Sequence, residues 1–182
     1  VAGVSLDKCR GWDAPIPELS PALRTLWLVV DRLAPWATLD RLASVVCQPV
    51  ERVATDLALL QERGVVVSSE NGYTTSRSPP RAGRTEVLTV HRMAARLVPP
   101  ASNSRIMHLV SAGELEAVPA ACVVVAKARI EEGLFASAWS AVSEGIAVER
   151  RLGATGPELA RLAAEVALAG NAPPWLSLVA VE

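Results

Sequence analysis

Cysteine, histidine and aromatic residues are scarce in this sequence of 182 residues. It contains three Cys, two His, one Phe and one Tyr, and aromatic residues make up 4% of the chain. The cysteines, Cys9, Cys47 and Cys122, lie too far apart for a zinc-ligand spacing or an even disulfide framework. We therefore expect a reducing compartment and interpret the chain as cytoplasmic.

An excess of charge of either sign is also missing. The formal net charge is −1, and 51% of the residues are hydrophobic. A protein built around a nucleic-acid backbone normally has a basic surplus, and a disordered chain has little apolar material. The composition predicts one ordinary domain or two small ones with a buried core.

Long hydrophobic runs are absent as well. The longest, residues 117–126, is too short to span a bilayer and contains Pro119. The first residues lack the basic and apolar regions of a signal peptide. We expect no membrane association. Because residue 1 is Val, we also expect the chain to be part of a longer protein.

Motifs for catalysis are missing. The two histidines have no Cys, Asp or Glu at metal-ligand spacing, and the sequence has no phosphate-binding loop, G-x-G-x-x-G fingerprint or G-x-S-x-G elbow. We predict no catalytic residue, no metal and no cofactor in this chain, and do not expect an enzyme.

The first half of the chain shows helical periodicity and then strand signals. Residues 1–18 are interpreted as a linker or the tail of a preceding element. Helices are predicted over 20–34, 39–46 and 49–63, and strands over 65–69, 73–76 and 85–90, with an Asn71-Gly72 turn. This order is typical of a winged-helix domain, which we assign to residues 19–98, although any small α+β domain is an alternative.

The second half is predicted to be helical. After a helix from His91 to Val98, helices are expected over 104–112, 115–132, 135–152 and 157–169. Gly133, Phe135 and Ala138 resemble the G-x-F/Y-x-x-A junction of a tetratricopeptide repeat (TPR). We expect a mainly α fold whose residues 99–182 form a TPR-like array of helical hairpins. Such units need neighbours to bury both faces, so this array is expected to continue or to dock on a partner.

The segment LTVHRMAARLV, residues 88–98, resembles the "MHD-like" segment of STAND and NB-ARC signal-transducing NTPases. In that family a nucleotide-binding domain and a helical lid precede a winged helix and an array of repeats. The resemblance implies that His91, at the start of a helix, contacts the β-phosphate of ADP held by an upstream domain that binds ADP or ATP. Val90 and Arg92 depart from the stricter motif. The alternative role of His91 is helix capping.

Two further sets of side chains are candidates for binding a partner. Arg77, Arg81 and Arg84 lie in the predicted loop between the last two strands, without an acidic residue among them, and suit DNA or an acidic protein surface. A solvated loop is the alternative. The predicted third helix has more acidic than basic residues, which disfavours phosphate binding. Trp175 is a candidate docking anchor.

The leading hypothesis is a non-catalytic regulatory fragment of a bacterial STAND-type regulator. Its helical repeats would bind a protein partner or ligand and relay this to an upstream nucleotide switch. The alternatives are a winged-helix transcriptional regulator that binds DNA, with a helical dimerisation or sensing domain, and a TPR-like interaction scaffold.

Overall fold

A computed structural model describes residues 18–169 of the chain. Its contacts divide the chain into two compact units, unit 1 (Val1–Pro80) and unit 2 (Arg81–Glu182). This division differs from the boundary at residue 98 that the sequence suggested. It assigns the segment containing His91 to unit 2.

Unit 1 begins with three helices, as predicted: α1 (Pro21–Leu33), α2 (Leu39–Val46) and α3 (Val50–Glu62). The Ser20 hydroxyl accepts a hydrogen bond from the Leu23 N–H at 3.3 Å, and Pro21 occupies the first helical position, where no N–H is needed. The largest fully buried side chains of the three helices form the centre of unit 1: Trp27, Leu33, Leu42, Leu57 and Leu60.

An antiparallel hairpin follows the helices, again as predicted. It consists of β1 (Val66–Ser69) and β2 (Gly72–Thr75), with Val66 opposite Thr75. Gly72 has a φ of +137°, and a Cβ there would lie 2.5 Å from the Ala37 carbonyl oxygen. The Tyr73 N–H donates to the same oxygen at 2.9 Å. The hairpin is thus held against the segment between α1 and α2 by a contact that only glycine permits.

The prediction of a third strand over 85–90 is wrong. These residues lie in α4 (Arg84–Leu97). Val90, Ala94 and Val98 are buried at a spacing of four, so the short apolar alternation belongs to a longer helical period. The described part of the chain therefore has a two-stranded sheet and no third strand beside it.

Between residues 81 and 169, unit 2 contains α4 and four further helices, which agree with the predicted ones. They are α5 (Asn103–Ala112), α6 (Val118–Glu131), α7 (Phe135–Leu152) and α8 (Pro157–Ala169), with a 3₁₀ turn at Leu115–Ala117. Pro119 lies in the first turn of α6, where it costs no hydrogen bond. The core is built mainly from Val, Leu and Ala side chains of α5 to α8.

Gly145 sets the separation of the last three helices. A Cβ at this position of α7 would lie 2.9 Å from the Cβ of Cys122 on α6 and 2.8 Å from a methyl group of Leu159 on α8. Exposed polar side chains connect α6 and α8 at the surface, where Lys127 donates to Glu158 at 2.6 Å and lowers the pKa of that carboxyl. Hence α6, α7 and α8 pack closely around a position without a side chain.

The fold of residues 18–169 is mainly helical, with one small antiparallel sheet. Among these residues, no helix combines the length and the apolar character that crossing a bilayer requires.

Candidate functional site

The two histidines of the sequence meet inside unit 2. His91 on α4 is 6% exposed and His108 on α5 is 1% exposed. Their Nδ1 atoms lie 2.9 Å apart, and the ring centroids are separated by 5.1 Å. Near this pair, the Arg92 guanidinium of α4 donates at the surface to the carboxylate of Glu114, two residues after α5, at 2.8 Å.

The short Nδ1–Nδ1 distance restricts the protonation states of the pair. A hydrogen bond between these atoms requires one Nδ1 to carry a proton and the other to be an acceptor. If both rings were protonated, two N–H donors would face each other and this bond would be lost. The pair therefore keeps the hydrogen bond with at most one of its two rings charged.

The structure places His91 differently from the sequence prediction. It lies in the middle of α4, seven residues after Arg84, and not at a helix N-terminus after a strand. The unpaired N–H groups of a helix N-terminus, which favour binding of an anion, are therefore not beside this ring. The prediction that His91 starts a helix, and with it the capping role, is wrong, while the contact with a phosphate of an upstream domain stays a prediction. His108 is buried too, and its ring shares the hydrogen bond with His91.

A groove on unit 2 is formed by one face of α5 and one face of α7. We call it the α5–α7 groove, and its volume is about 360 Å³. It is lined by Asn103, Ile106, Met107, Val110, Ser111, Ser140, Ala141 and Glu144. The α5 residues follow the helical period, so they form a continuous strip from the first to the last turn of that helix. Met107 is 47% exposed, which makes the groove accessible from solvent.

Glu144 is the charged residue of the α5–α7 groove. Its carboxylate forms no ion pair with any side chain between residues 18 and 169, and no basic residue lines the groove. The pKa of the nearby Cys122 thiol is raised to about 12, mainly by burial and further by the negative charges of Glu144 and Glu149. The groove thus combines an apolar strip, hydroxyl and amide groups, and one negative charge.

The predicted arginine cluster is not on a wing. Because residues 85–90 are helical, the segment with Arg77 and Arg81 connects β2 to α4 and does not join two strands, and Arg84 is the first residue of α4. Arg77 is half-buried, and its carbonyl accepts a hydrogen bond from the Trp27 indole at 3.2 Å. Arg81 and Arg84 are exposed and belong to unit 2.

The exposed face of α3 is not basic. Arg52 forms an ion pair with Asp56 at 3.4 Å, while Glu51 and Glu62 are exposed. The tip of the hairpin carries Glu70, which is also exposed. Neither surface is suited to a phosphate backbone.

Two other predictions concern metals and Trp175. Within residues 18–169, no group of three or more His, Cys, Asp and Glu side chains is arranged to hold a metal ion. Trp175 lies outside the described residues.

The sequence did not predict the groove or the His91–His108 contact. The periodicity of α5 indicated one apolar face, but Asn103, Met107 and Ser111 are ordinary exposed residues in such a pattern. The signal for the groove in the sequence is that Ile106 and Val110 widen the apolar face of α5 beyond the stripe of His108, Leu109 and Ala112.

No family model, curated protein or solved structure matches this chain.

Proposed function

We propose that this chain is a non-catalytic regulatory module whose helical unit 2 binds a protein partner. The observation that carries the proposal is the α5–α7 groove, an accessible concave surface with apolar and polar groups side by side. Its volume lies in the range of binding pockets, and its mixture of side chains suits recognition of a polypeptide.

The proposal includes a fold type for each unit, a winged helix for unit 1 and a TPR-like hairpin for unit 2. The order of three helices and a hairpin supports a winged-helix type for unit 1. Buried Ala126 and Ala138, on helices joined at Gly133, support a TPR-like hairpin of α6 and α7. In the STAND-type organisation, partner binding on the helices would be relayed to a nucleotide switch in an upstream domain. The resemblance of element order supports this relay, whereas the position of His91 does not.

Partner binding is tested by selecting a random heptapeptide library on the immobilised 182-residue chain. We expect enriched sequences whose synthetic copies bind with one-to-one stoichiometry and perturb amide NMR signals of α5 and α7. If no peptide binds, or if all binding peptides perturb unit 1 alone, the proposed function is wrong.

DNA binding is the competing function, because three helices and a hairpin are also the frame of a DNA-reading domain. The acidic character of the α3 face and of the hairpin tip argues against it. We expect a fluorescent 20-base-pair duplex at low salt to show no saturable anisotropy change with the chain. Saturable, salt-sensitive binding that is weakened by Arg81→Ala and Arg84→Ala would favour the transcriptional regulator instead.

A further inference from the structure

The length of the α5 wall limits what the α5–α7 groove can hold. This wall extends from Asn103 to Ser111, which corresponds to about 12 Å along the helix axis. An extended polypeptide covers 12 Å with about three or four residues. The length of the α5 wall therefore matches a short extended segment.

The chemistry of the walls differs along the groove. The apolar surface is provided mainly by Met107 and the half-buried Val110, above the buried Ile106 and Ala141. Met107 is a flexible side chain that adapts to different shapes. Glu144 provides a carboxylate on the α7 wall, near the hydroxyl of Ser140. An occupant that satisfies both parts has an apolar stem and one cationic end.

Other classes of ligand fit this groove less well. A single carboxylate among neutral residues provides too few oxygen ligands for Ca²⁺ or Mg²⁺. An anion would meet the negative charge of Glu144 without a basic group to compensate it. Lys and Arg side chains, in contrast, place an alkyl stem on apolar surface and a charged end at a carboxylate.

We infer that the α5–α7 groove binds a three- or four-residue extended segment of a partner protein, with the cation of an Arg or Lys side chain at Glu144. The inference rests on the proposed function and adds the chemical class of the partner. Apolar side chains of the segment lie along Ile106, Met107 and Val110. The cation at Glu144 selects basic segments over acidic ones.

The test uses the methionine methyl groups as probes. The chain contains two methionines, Met107 in the groove and Met93 on α4, which does not line it. In ¹³C-methyl-methionine NMR spectra of the whole chain, assigned with Met107→Leu, the blocked peptide Ac-Leu-Arg-Leu-Ala-NH₂ is titrated. We expect a saturable shift of the Met107 signal and a constant Met93 signal.

Charge recognition is tested with matched variants and peptides. Glu144→Gln is expected to weaken binding about fivefold, which is the scale of one exposed ion pair. Glu131→Gln, the same change at an exposed α6 position outside the groove, is expected to leave the affinity within about twofold. Peptides with Glu or norleucine in place of Arg are expected to bind more weakly than the Arg peptide, the Glu peptide most weakly.

Several results would overturn the inference. They are a Met107 signal that does not move, equal affinity of the Arg and norleucine peptides, and equal affinity of Glu144→Gln and the unchanged chain. If n-butylguanidinium alone binds as tightly as the Arg peptide, the occupant is a free cation and not a segment. If the library selects groove-binding peptides without basic residues, this inference fails while the proposed function stands.

Discussion

The hydrogen bond between His91 and His108 joins two buried side chains of unit 2. Removing one ring takes a buried partner from the other, so His91→Leu and His108→Leu are each expected to lower the free energy of unfolding by about 1–3 kcal/mol. The double variant should lose less than the sum, by about 1 kcal/mol, because the contact is lost only once. Urea denaturation of the four proteins at pH 8 measures this coupling.

A nearby surface pair provides the control for this cycle. This exposed ion pair connects the middle of α4 to Glu114, two residues after α5, so Arg92→Ala and Glu114→Ala should couple by at most about 1 kcal/mol at low salt. Additive effects of the two histidine variants at pH 8 would contradict the interpretation.

Cys122 makes the stability of the fold sensitive to alkaline pH. Burial raises the pKa of its thiol from the usual 9.0 to about 12, so the folded protein keeps the proton that the unfolded chain releases. The contribution of the neutral thiol to stability is complete below pH 9 and declines as the pH rises toward 12. The slope is at most about 1.4 kcal/mol per pH unit.

The comparison with Cys122→Ala isolates this effect, because Cys9, Cys47 and the other titrating groups are the same in both proteins. Urea denaturation at pH 8, 9.5 and 10.5 should show a steeper loss of stability for the unchanged chain than for the variant. Parallel curves would refute the assignment of this pH dependence to Cys122.

At the scale of the elements, α6, α7 and α8 pack closely because Gly145 has no side chain. Gly145→Ala improves helix propensity by about 1 kcal/mol, but the new methyl group would overlap with Cys122 and Leu159. We expect a net loss of about 1–3 kcal/mol, as is usual for overpacking. Thermal or urea denaturation measures it.

Gly83 provides the matched control. A Cβ at Gly83 meets no atom within 4 Å, and its φ of −64° suits alanine. Gly83→Ala should change the stability by less than about 1 kcal/mol, since the lost freedom of the unfolded chain offsets the poorer N-cap that Ala gives α4. Equal effects of the two substitutions would show that the close contact at Gly145 has no energetic weight.

Helices and their ends could be predicted because their signals are local. Ser20 with Pro21, the proline in the first turn of α6, and Gly133 after α6 each act within a few residues. The error at 85–90 arose because six residues contain too few periods to distinguish a strand from a helix. The His91–His108 contact and the groove depend on which helices pack together, and that information is not contained in any one segment.

At the scale of the whole molecule, the boundary between the units determines which fragments should fold. Residues 81–182 include α4, whose buried Val90, Ala94 and Ala95 pack in unit 2. Residues 99–182, the helical domain that the sequence suggested, lack these side chains and the partner of His108. We expect the longer fragment to unfold cooperatively and the shorter one to be less stable by several kcal/mol.

Circular dichroism and urea denaturation of both fragments test this expectation. The fragment 1–80 serves as the complementary control and should retain the signature of three helices and a hairpin. Equal stability of the fragments 81–182 and 99–182 would place the boundary at residue 98 after all.

The short connection between β2 and α4, residues 76–83, contains Pro79 and Pro80, each of which fixes a backbone φ angle. Fewer conformations are therefore open to this segment in the unfolded chain. Ordering it during folding costs less conformational entropy than ordering a glycine-rich loop of the same length.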